Sequence, residues 1–264
     1  MTLGRRPLAR PGSGGDAPAT DPRATDPRAA APLGRVDRPG SGSEAVPRTA
    51  TFRIVIGFAA LVAMLAVLGS IAEGVRSQEV FALDTWATPF LHGLASPGLD
   101  WVMLRLTDIG SSLVIVPAFA LAAAALILTR RYRGAAFLGI AVGGSVLLNG
   151  TMKLIFQRPR PQLSYAAVLP DSSFPSGHTM NAVIFYVALA LIAWSIFGRR
   201  IGMVALIVAI AIGVGVGISR IYLGYHYLTD VVGAILAGVS WLLVLSGAFR
   251  SRPSWWTTAR PEGT

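Results

Sequence analysis

Three short clusters of cations, histidines and small polar residues stand out in an otherwise apolar sequence. The first is KLIFQRPRP, in which Lys153 lies seven residues before Arg160 and Pro161 follows directly. If a helix persists to Gln157, Lys153 projects from its last turns, and the prolines beyond it hold the chain extended. Two cations can then converge on one anion. The alternative is that both simply meet lipid headgroups.

The second cluster consists of Pro175, Ser176, Gly177 and His178, which stand directly before an apolar run. Ser176 is suited to cap a helix, and Gly177 lets the backbone approach a ligand closely. The unpaired N–H groups and positive dipole end of a helix N-terminus can hold a phosphate oxygen, with His178 beside it. Taken alone, this tetrapeptide is also typical of a simple turn and cap.

The third cluster spans the end of one apolar run and the start of the next. Ser219 and Arg220 end the first run, and His226 and Asp230, four residues apart, open the second. On one helix face, Asp230 could accept a hydrogen bond from one ring nitrogen of His226 and leave the other free to attack an electrophile. Such a pair is often only a surface contact or a cap, but ionisable residues at a membrane helix end are costly, which leaves a functional role as the alternative.

Membrane helices must position these clusters, because 53% of the 264 residues are hydrophobic, only 14% are charged, and mean hydropathy is +0.59. Six apolar runs approach the roughly 20 residues that a helix needs to cross a bilayer. They cover residues 54–75, 109–129, 134–156, 179–197, 201–218 and 231–249. The predicted fold is therefore an all-α polytopic membrane helix bundle with about six transmembrane helices.

The segments outside these runs differ in composition. Residues 1–50 are rich in Pro, Gly, Ala, Arg and Ser without apolar periodicity, which predicts a disordered tail before a transmembrane domain over 51–250 and a short tail over 251–264. Residues 78–108 mix aromatic, apolar and acidic side chains, a mixture typical of an interfacial amphipathic segment. The last part of this segment, 97–108, could equally extend the second helix.

Basic residues in short loops predict the orientation in the membrane. They follow runs two, four and six: Arg130, Arg131, Arg133, Arg199, Arg200, Arg250 and Arg252. The positive-inside rule places these loops and both termini in the cytoplasm, and the three clusters on the extracytoplasmic face of a plasma (inner) membrane. The net charge of +10 does not indicate nucleic acid, because the basic residues sit in the tails and at the ends of apolar runs.

Together, the three clusters resemble the type 2 phosphatidic acid phosphatase superfamily, whose pattern is KxxxxxxRP, then PSGH, then SRxxxxxHxxxD. The matching positions are Lys153, Arg160, Pro161, Pro175, Ser176, Gly177, His178, Ser219, Arg220, His226 and Asp230. The motifs occupy residues 153–230, and the six-run layout extends the resemblance over about 54–249. The predicted partners are therefore the bilayer and a lipid phosphate substrate.

The resemblance implies a lipid phosphate phosphatase with a phosphohistidine intermediate. In this mechanism His226 attacks phosphorus, Asp230 holds its ring, and His178 protonates the leaving oxygen and then activates water. The implied phosphate-binding groups are Lys153, Arg160, Ser176, Gly177 and Arg220. Phosphatidic acid, phosphatidylglycerol phosphate and polyprenyl diphosphates all fit this chemistry.

The remaining chemistry-bearing residues are interpreted more simply. His92 matches no motif and is predicted to be an interfacial or packed histidine. Arg158 neighbours the first cluster and is predicted to face lipid headgroups. With no cysteine and Asp171 a lone carboxylate beside the cations, the sequence predicts neither a metal site nor a cofactor.

Other functions use the same residues. A phosphotransferase would pass the phosphate from the histidine to an alcohol instead of water. A transporter or non-catalytic lipid-binding relative would use the cations only to hold headgroups, but it should lack catalytic residues, and no motif position is missing. A vanadium-dependent haloperoxidase has a similar oxyanion site, but six membrane spans are not expected of a soluble oxidase.

Overall fold

The computed structural model describes residues 48–79, 81–163, 165–166 and 169–250. Within these ranges the regular elements are eight helices, in agreement with the predicted all-α class. They are α1 (Arg48–Arg76), α2 (Ala82–His92), α3 (Pro97–Ile109), α4 (Ser112–Leu128), α5 (Tyr132–Phe156), α6 (Gly177–Phe197), α7 (Arg199–Tyr222) and α8 (Leu228–Arg250). Helix α1 begins within the last residues of the predicted N-terminal tail. The rest of that tail and the predicted C-terminal tail lie outside the described residues.

Among the described residues, five helices are long and apolar enough to cross a membrane. These spans are Gly57–Arg76, Tyr132–Phe156, Gly177–Phe197, Arg199–Tyr222 and Leu228–Phe249. Helices α3 and α4 pass the same test only as a pair, bent by 45°. Counted as one broken span, the pair brings the total over the described residues to six, as the sequence predicts.

The bend between α3 and α4 explains why residues 97–108 do not simply lengthen the second span. Gly110 lies so close to its neighbours that an added Cβ would come within 2.6 Å of Val216 Cγ1 and 2.8 Å of the His178 carbonyl oxygen. The Tyr186 hydroxyl, from α6, donates to the Ile109 carbonyl at 3.1 Å. The junction is therefore packed against α6 and α7.

Helix α6 is the centre of the bundle. Its buried residues Met180, Ile184 and Phe185 pack with Leu138 of α5 and Leu242 of α8. The outer surfaces of the bundle carry large exposed apolar side chains, which in a membrane are in contact with lipid. The core therefore holds together α5, α6 and α8, three of the helices that carry the sequence motifs.

Helix α2 buries its acidic side chain and exposes its large aromatic side chains. It turns Asp84, Ala87 and Thr88 toward the protein, whereas Trp86 and Phe90 stack on each other at its exposed surface. Ala87 packs in an apolar cluster with buried residues of α7 and α8. The carboxylate of Asp84 consequently points into the bundle.

Candidate active site

The candidate site lies where α5 and α7 end and α6 and α8 begin. The loop that joins α5 to α6 leaves the helix at Gln157, whose backbone is left-handed with φ 42° and whose N–H donates to the Lys153 carbonyl. This loop places Arg158 against the first turn of α8 and Arg160 against the segment that joins α7 to α8. Both motif loops therefore meet at one end of the bundle, opposite the basic segments 129–131 and 198–200.

His226 is almost completely buried in the short connection before α8. Its Nδ1 lies 3.4 Å from Asp230 Oδ2, and the same oxygen accepts the Tyr227 backbone N–H at 2.9 Å. Since α8 starts at Leu228, the two residues do not share a helix face as expected. Asp230 instead reaches back from the first turn in a capping arrangement, and His226 stands just outside the helix.

The other ring nitrogen of His226 faces a cation. Arg160 Nη1 lies 3.2 Å from His226 Nε2 and also donates to the Tyr225 carbonyl at 2.7 Å. A guanidinium only donates, so Nε2 must accept and the ring proton belongs on Nδ1, toward Asp230. Burial lowers the pKa of His226 to about 4; Asp230 opposes this shift, whereas Arg220 and Arg160 add to it. The imidazole is therefore neutral, with its Nε2 lone pair turned toward the cations.

Lys153 and Arg160 converge as the sequence predicts, and Asp171 lies between them. Arg160 Nη2 donates to Asp171 Oδ1 at 2.7 Å, while Lys153 Nζ is ion-paired with Oδ2 of the same carboxylate. Partial burial alone would raise the pKa of Asp171, but hydrogen bonds and charges from both cations lower it to about 2. The carboxylate, whose side chain is 50% exposed, is thus an anion held by two motif cations.

The second cluster begins α6, with Ser176 in the N-cap position and fully buried. The predicted N-cap residue is thereby confirmed, but its hydroxyl does not cap the helix: Ser176 Oγ is hydrogen-bonded to Thr179 Oγ1 at 2.9 Å. Gly177 is packed closely, since an added Cβ would lie 3.2 Å from Asn149 Oδ1. His178 is half-buried in the first turn, within electrostatic range of His226 and Arg220.

Arg220 lies in the last turn of α7, at the edge of the site. Its Nη1 donates to Thr107 Oγ1 at 2.9 Å, and its guanidinium lies 4.3 Å from the Tyr225 ring centroid. Within the described part of the chain, its buried Nε has no hydrogen-bond partner. A buried donor on a permanent cation is costly to leave unpaired, so this N–H is available to an incoming oxygen.

The expectation that Arg158 faces lipid headgroups is wrong. Its side chain is only 10% exposed and forms ion pairs with Asp84 at 2.7 Å and Asp230 at 2.5 Å. The sequence placed Asp84 only in an interfacial segment of mixed composition and did not assign it to the site. The available signal was its acidic side chain, but its partner lies 74 residues away and no motif links the two.

His92 lies outside this group and is packed, as predicted. Its ring stacks on Tyr165 with the centroids 3.4 Å apart.

A cleft of about 610 Å³ reaches Lys153, Arg160 and Asp171 from the surface, with Leu154 and Leu163 in its apolar lining. Arg160, which contacts His226, therefore forms part of the cleft wall.

Comparison with known proteins identifies the class to which this fold and site belong. The PAP2 superfamily matches residues 134–253, which include all three motifs. Phosphatidylglycerophosphatase B of Bacillus subtilis (strain 168) is 32% identical over 179 residues, or 67% of this chain and 88% of that protein. Undecaprenyl-diphosphatase BcrC of the same organism is 28% identical over 159 residues, covering 56% of this chain and 75% of that protein.

The fold agrees with these matches. The crystal structure of a transmembrane PAP2-type phosphatidylglycerolphosphate phosphatase from Bacillus subtilis superposes with a TM-score of 0.67 at 27% identity, covering 72% of this chain and 96% of that one. The chain belongs to the PAP2 superfamily and is an integral membrane protein. The predicted lipid phosphate phosphatase is thereby confirmed at the level of the enzyme class.

Proposed function

We propose that this chain hydrolyses the phosphate or diphosphate monoester of a membrane lipid through a phosphohistidine on Nε2 of His226, without a metal ion. The observation that carries the proposal is the environment of that nitrogen. Arg160 lies 3.2 Å from it, and Asp230 faces the opposite ring nitrogen. A neutral nucleophile held between an orienting carboxylate and oxyanion-binding cations suits in-line phosphoryl transfer.

In the first step the His226 Nε2 lone pair forms a bond to phosphorus while the bond from phosphorus to the lipid oxygen breaks. His178 gives its proton to the departing oxygen. Asp230 stabilises the positive charge that develops on the His226 ring. The transferring oxygens are held by Lys153, Arg160, Arg220, the Ser176 hydroxyl and backbone N–H groups near Gly177.

In the second step water attacks the phosphohistidine. His178 takes a proton from the water as its oxygen bonds to phosphorus, the N–P bond breaks, and inorganic phosphate leaves with His226 restored. The positive charges supplied by the chain perform the electrostatic task that a metal ion performs in other phosphatases.

The proposed position of the substrate's phosphate is the one that the Asp171 carboxylate occupies. It contacts Lys153 and Arg160, the two cations that the proposed mechanism assigns to phosphate oxygens. An incoming phosphate offers more oxygens and more charge than a carboxylate, so it can replace Asp171 between these cations. Asp171 is half-exposed on a loop, which allows its side chain to withdraw.

The proposed substrates are phosphatidylglycerol phosphate and polyprenyl diphosphates, which are suggested by the names of the relatives. The site is proposed to open to the extracytoplasmic side of a plasma (inner) membrane. Supporting this orientation, the arginine-rich segments 129–131 and 198–200 lie at the opposite ends of the helices that carry the motifs.

The test is phosphate release by the detergent-solubilised chain from a panel of lipid phosphates in excess chelator. We expect release of free phosphate, inhibition by vanadate and an acid-labile phosphoprotein on His226. Transfer of phosphate to an added alcohol without free phosphate would instead indicate a phosphotransferase. Activity that is lost in chelator and restored by magnesium would contradict the metal-free mechanism.

A further inference from the structure

We propose that Asp84 and Arg158 are positioning residues for phosphoryl transfer: with Thr229 they fix the Asp230 carboxylate that orients His226. This inference rests on the function proposed above and deepens it. Neither Asp84 nor Arg158 belongs to a motif position, and they come from an amphipathic helix and a loop that are far apart in the sequence.

The two oxygens of Asp230 have separate partners. Oδ2 accepts the Tyr227 N–H and faces His226 Nδ1, whereas Oδ1 accepts from Arg158 Nη1 at 2.5 Å. A carboxylate held at only one oxygen can rotate about its terminal torsion, which is broad. Because Arg158 holds the second oxygen, the plane of the carboxylate and the direction of Oδ2 are determined.

Asp84 holds Arg158 in turn. Its Oδ2 accepts from Arg158 Nη2 at 2.7 Å and from the Thr229 hydroxyl at 2.6 Å, while its Oδ1 accepts the Thr229 N–H at 2.8 Å. Arg158 Nη1 also donates to the Thr229 hydroxyl at 2.8 Å. Asp84 thus caps the start of α8 from another helix, and the planar guanidinium bridges two buried carboxylates.

A purely structural role explains this network poorly. Helix α2 is already anchored through Ala87, which packs with Ile221 of α7 and Val231 of α8. Burying charges is costly, and replacing a buried ion network by apolar side chains is often neutral or stabilising. Charges retained at this position are better explained by the carboxylate they orient.

The network also tunes the nucleophile. The charged and titratable groups that act on His226 are Asp230 from α8, Arg160 from the loop after α5, Arg220 from α7 and His178 from α6. Arg158 compensates part of the Asp230 charge. Without Arg158, Asp230 should attract the His226 ring proton and positive charge more strongly, so the ring should protonate at higher pH.

The test uses full-length Asp84→Asn, Arg158→Gln and Arg158→Lys in detergent, with rates referred to the monodisperse folded fraction. We expect kcat of Asp84→Asn to fall roughly 10- to 100-fold, as when an outer group that orients a ligating histidine is lost. KM should change little, because the phosphate-binding cations are untouched. Arg158→Lys should recover part of the activity that Arg158→Gln loses.

Arg105→Gln is the matched control, because Arg105 forms an exposed ion pair with Asp108 at 3.1 Å. It should leave kcat unchanged. In NMR titrations the His226 ring of Arg158→Gln should protonate at higher pH than in the wild type. Unchanged kcat in folded Asp84→Asn, or an unshifted His226 titration in folded Arg158→Gln, would overturn the proposal. A wild type that forms no phosphoprotein would instead overturn the proposed function.

Discussion

At the scale of single residues, the chemistry of the site is determined by which atoms each charged group faces. His226 has a carboxylate on one nitrogen and a guanidinium on the other, and this pair of neighbours determines its tautomer. Arg220 Nε has no hydrogen-bond partner among the described residues, whereas Lys153 and Arg160 are ion-paired with Asp171. The cations of one site are therefore in different states before substrate arrives.

Replacing His226 and replacing His178 should affect turnover and phosphoprotein formation in different ways. His226→Ala removes the nucleophile, so turnover should fall to background for every substrate, with no phosphoprotein. His178→Ala removes only the acid and base, worth about 10²- to 10⁴-fold, and an aryl phosphate that needs little protonation should lose less than a lipid phosphate. Phosphoprotein should accumulate in His178→Ala. Its appearance in His226→Ala instead would exchange the two roles.

The pKa of His226 predicts how far the pH can fall before the nucleophile is protonated. Burial and the nearby arginines lower this pKa to about 4, so the nucleophile should remain neutral as pH falls through 6.5 and become protonated only near 4. The chain has three histidines, which makes an NMR titration of the ring protons in detergent practical, with His226→Gln for assignment. A His226 resonance that titrates near 6.5 would contradict the burial and charges described above.

Replacing Asp171 should improve substrate binding. Asp171→Asn removes the anion that pairs with Lys153 and Arg160, so KM should fall by up to about 5-fold, the limit expected for a half-exposed ion pair of about 1 kcal/mol. The value of kcat should stay near that of the wild type. Asp108→Asn, which removes an exposed carboxylate of α3, is the control. A higher KM in Asp171→Asn would mean that Asp171 supports substrate binding.

At the scale of elements, close helix contacts near the site are set by particular glycines. Gly217 of α7 faces α8 so closely that an added Cβ would lie 2.6 Å from Val231 Cγ1. A side chain at this position would therefore push the two helices apart. The distance between α7 and α8 controls how Arg220 and Asp230 approach each other.

Gly217→Ala should therefore lower stability by about 1–3 kcal/mol, the usual result of overpacking, and reduce activity as α7 moves away from α8. Gly215→Ala is the matched control, since its Cβ would meet Leu106 at 3.5 Å, an ordinary contact, and alanine favours helix. Thermal inactivation midpoints in detergent would compare the two variants. Equal midpoints would show that Val231 moves to make room for the added methyl group without loss of stability.

At the scale of the whole molecule, the ends of the helices divide into a motif-bearing end and an arginine-rich end. The chain has no cysteine, so a single introduced thiol can report which end is accessible. Ser173 of the motif-bearing end is buried, but Pro170 in the same loop is exposed, as is Thr129 between α4 and α5 at the other end.

Pro170→Cys should react with an impermeant thiol reagent in intact cells, and Thr129→Cys only after lysis, because the arginine-rich loops are expected in the cytoplasm. Labelling is read by a mass shift on the purified chain. The opposite pattern would place the site in the cytoplasm.

The sequence by itself determined the class of protein and the identity of the motif residues. Hydropathy and run length depend only on local composition, so the membrane helices and their order could be predicted from the apolar runs alone. The motif positions were also visible, because the residue types and spacing of the three clusters match a known family pattern.

Only the tertiary structure decided what surrounds these residues. The pairing of Asp84 with Arg158, the place of Asp171 between two cations, and the bend between α3 and α4 all depend on contacts between separate elements. Ser176 shows the same limit within a motif, since its position is local but its hydroxyl partner is set by the fold. Periodicity and spacing describe one segment at a time, whereas partners of buried charges are chosen by packing.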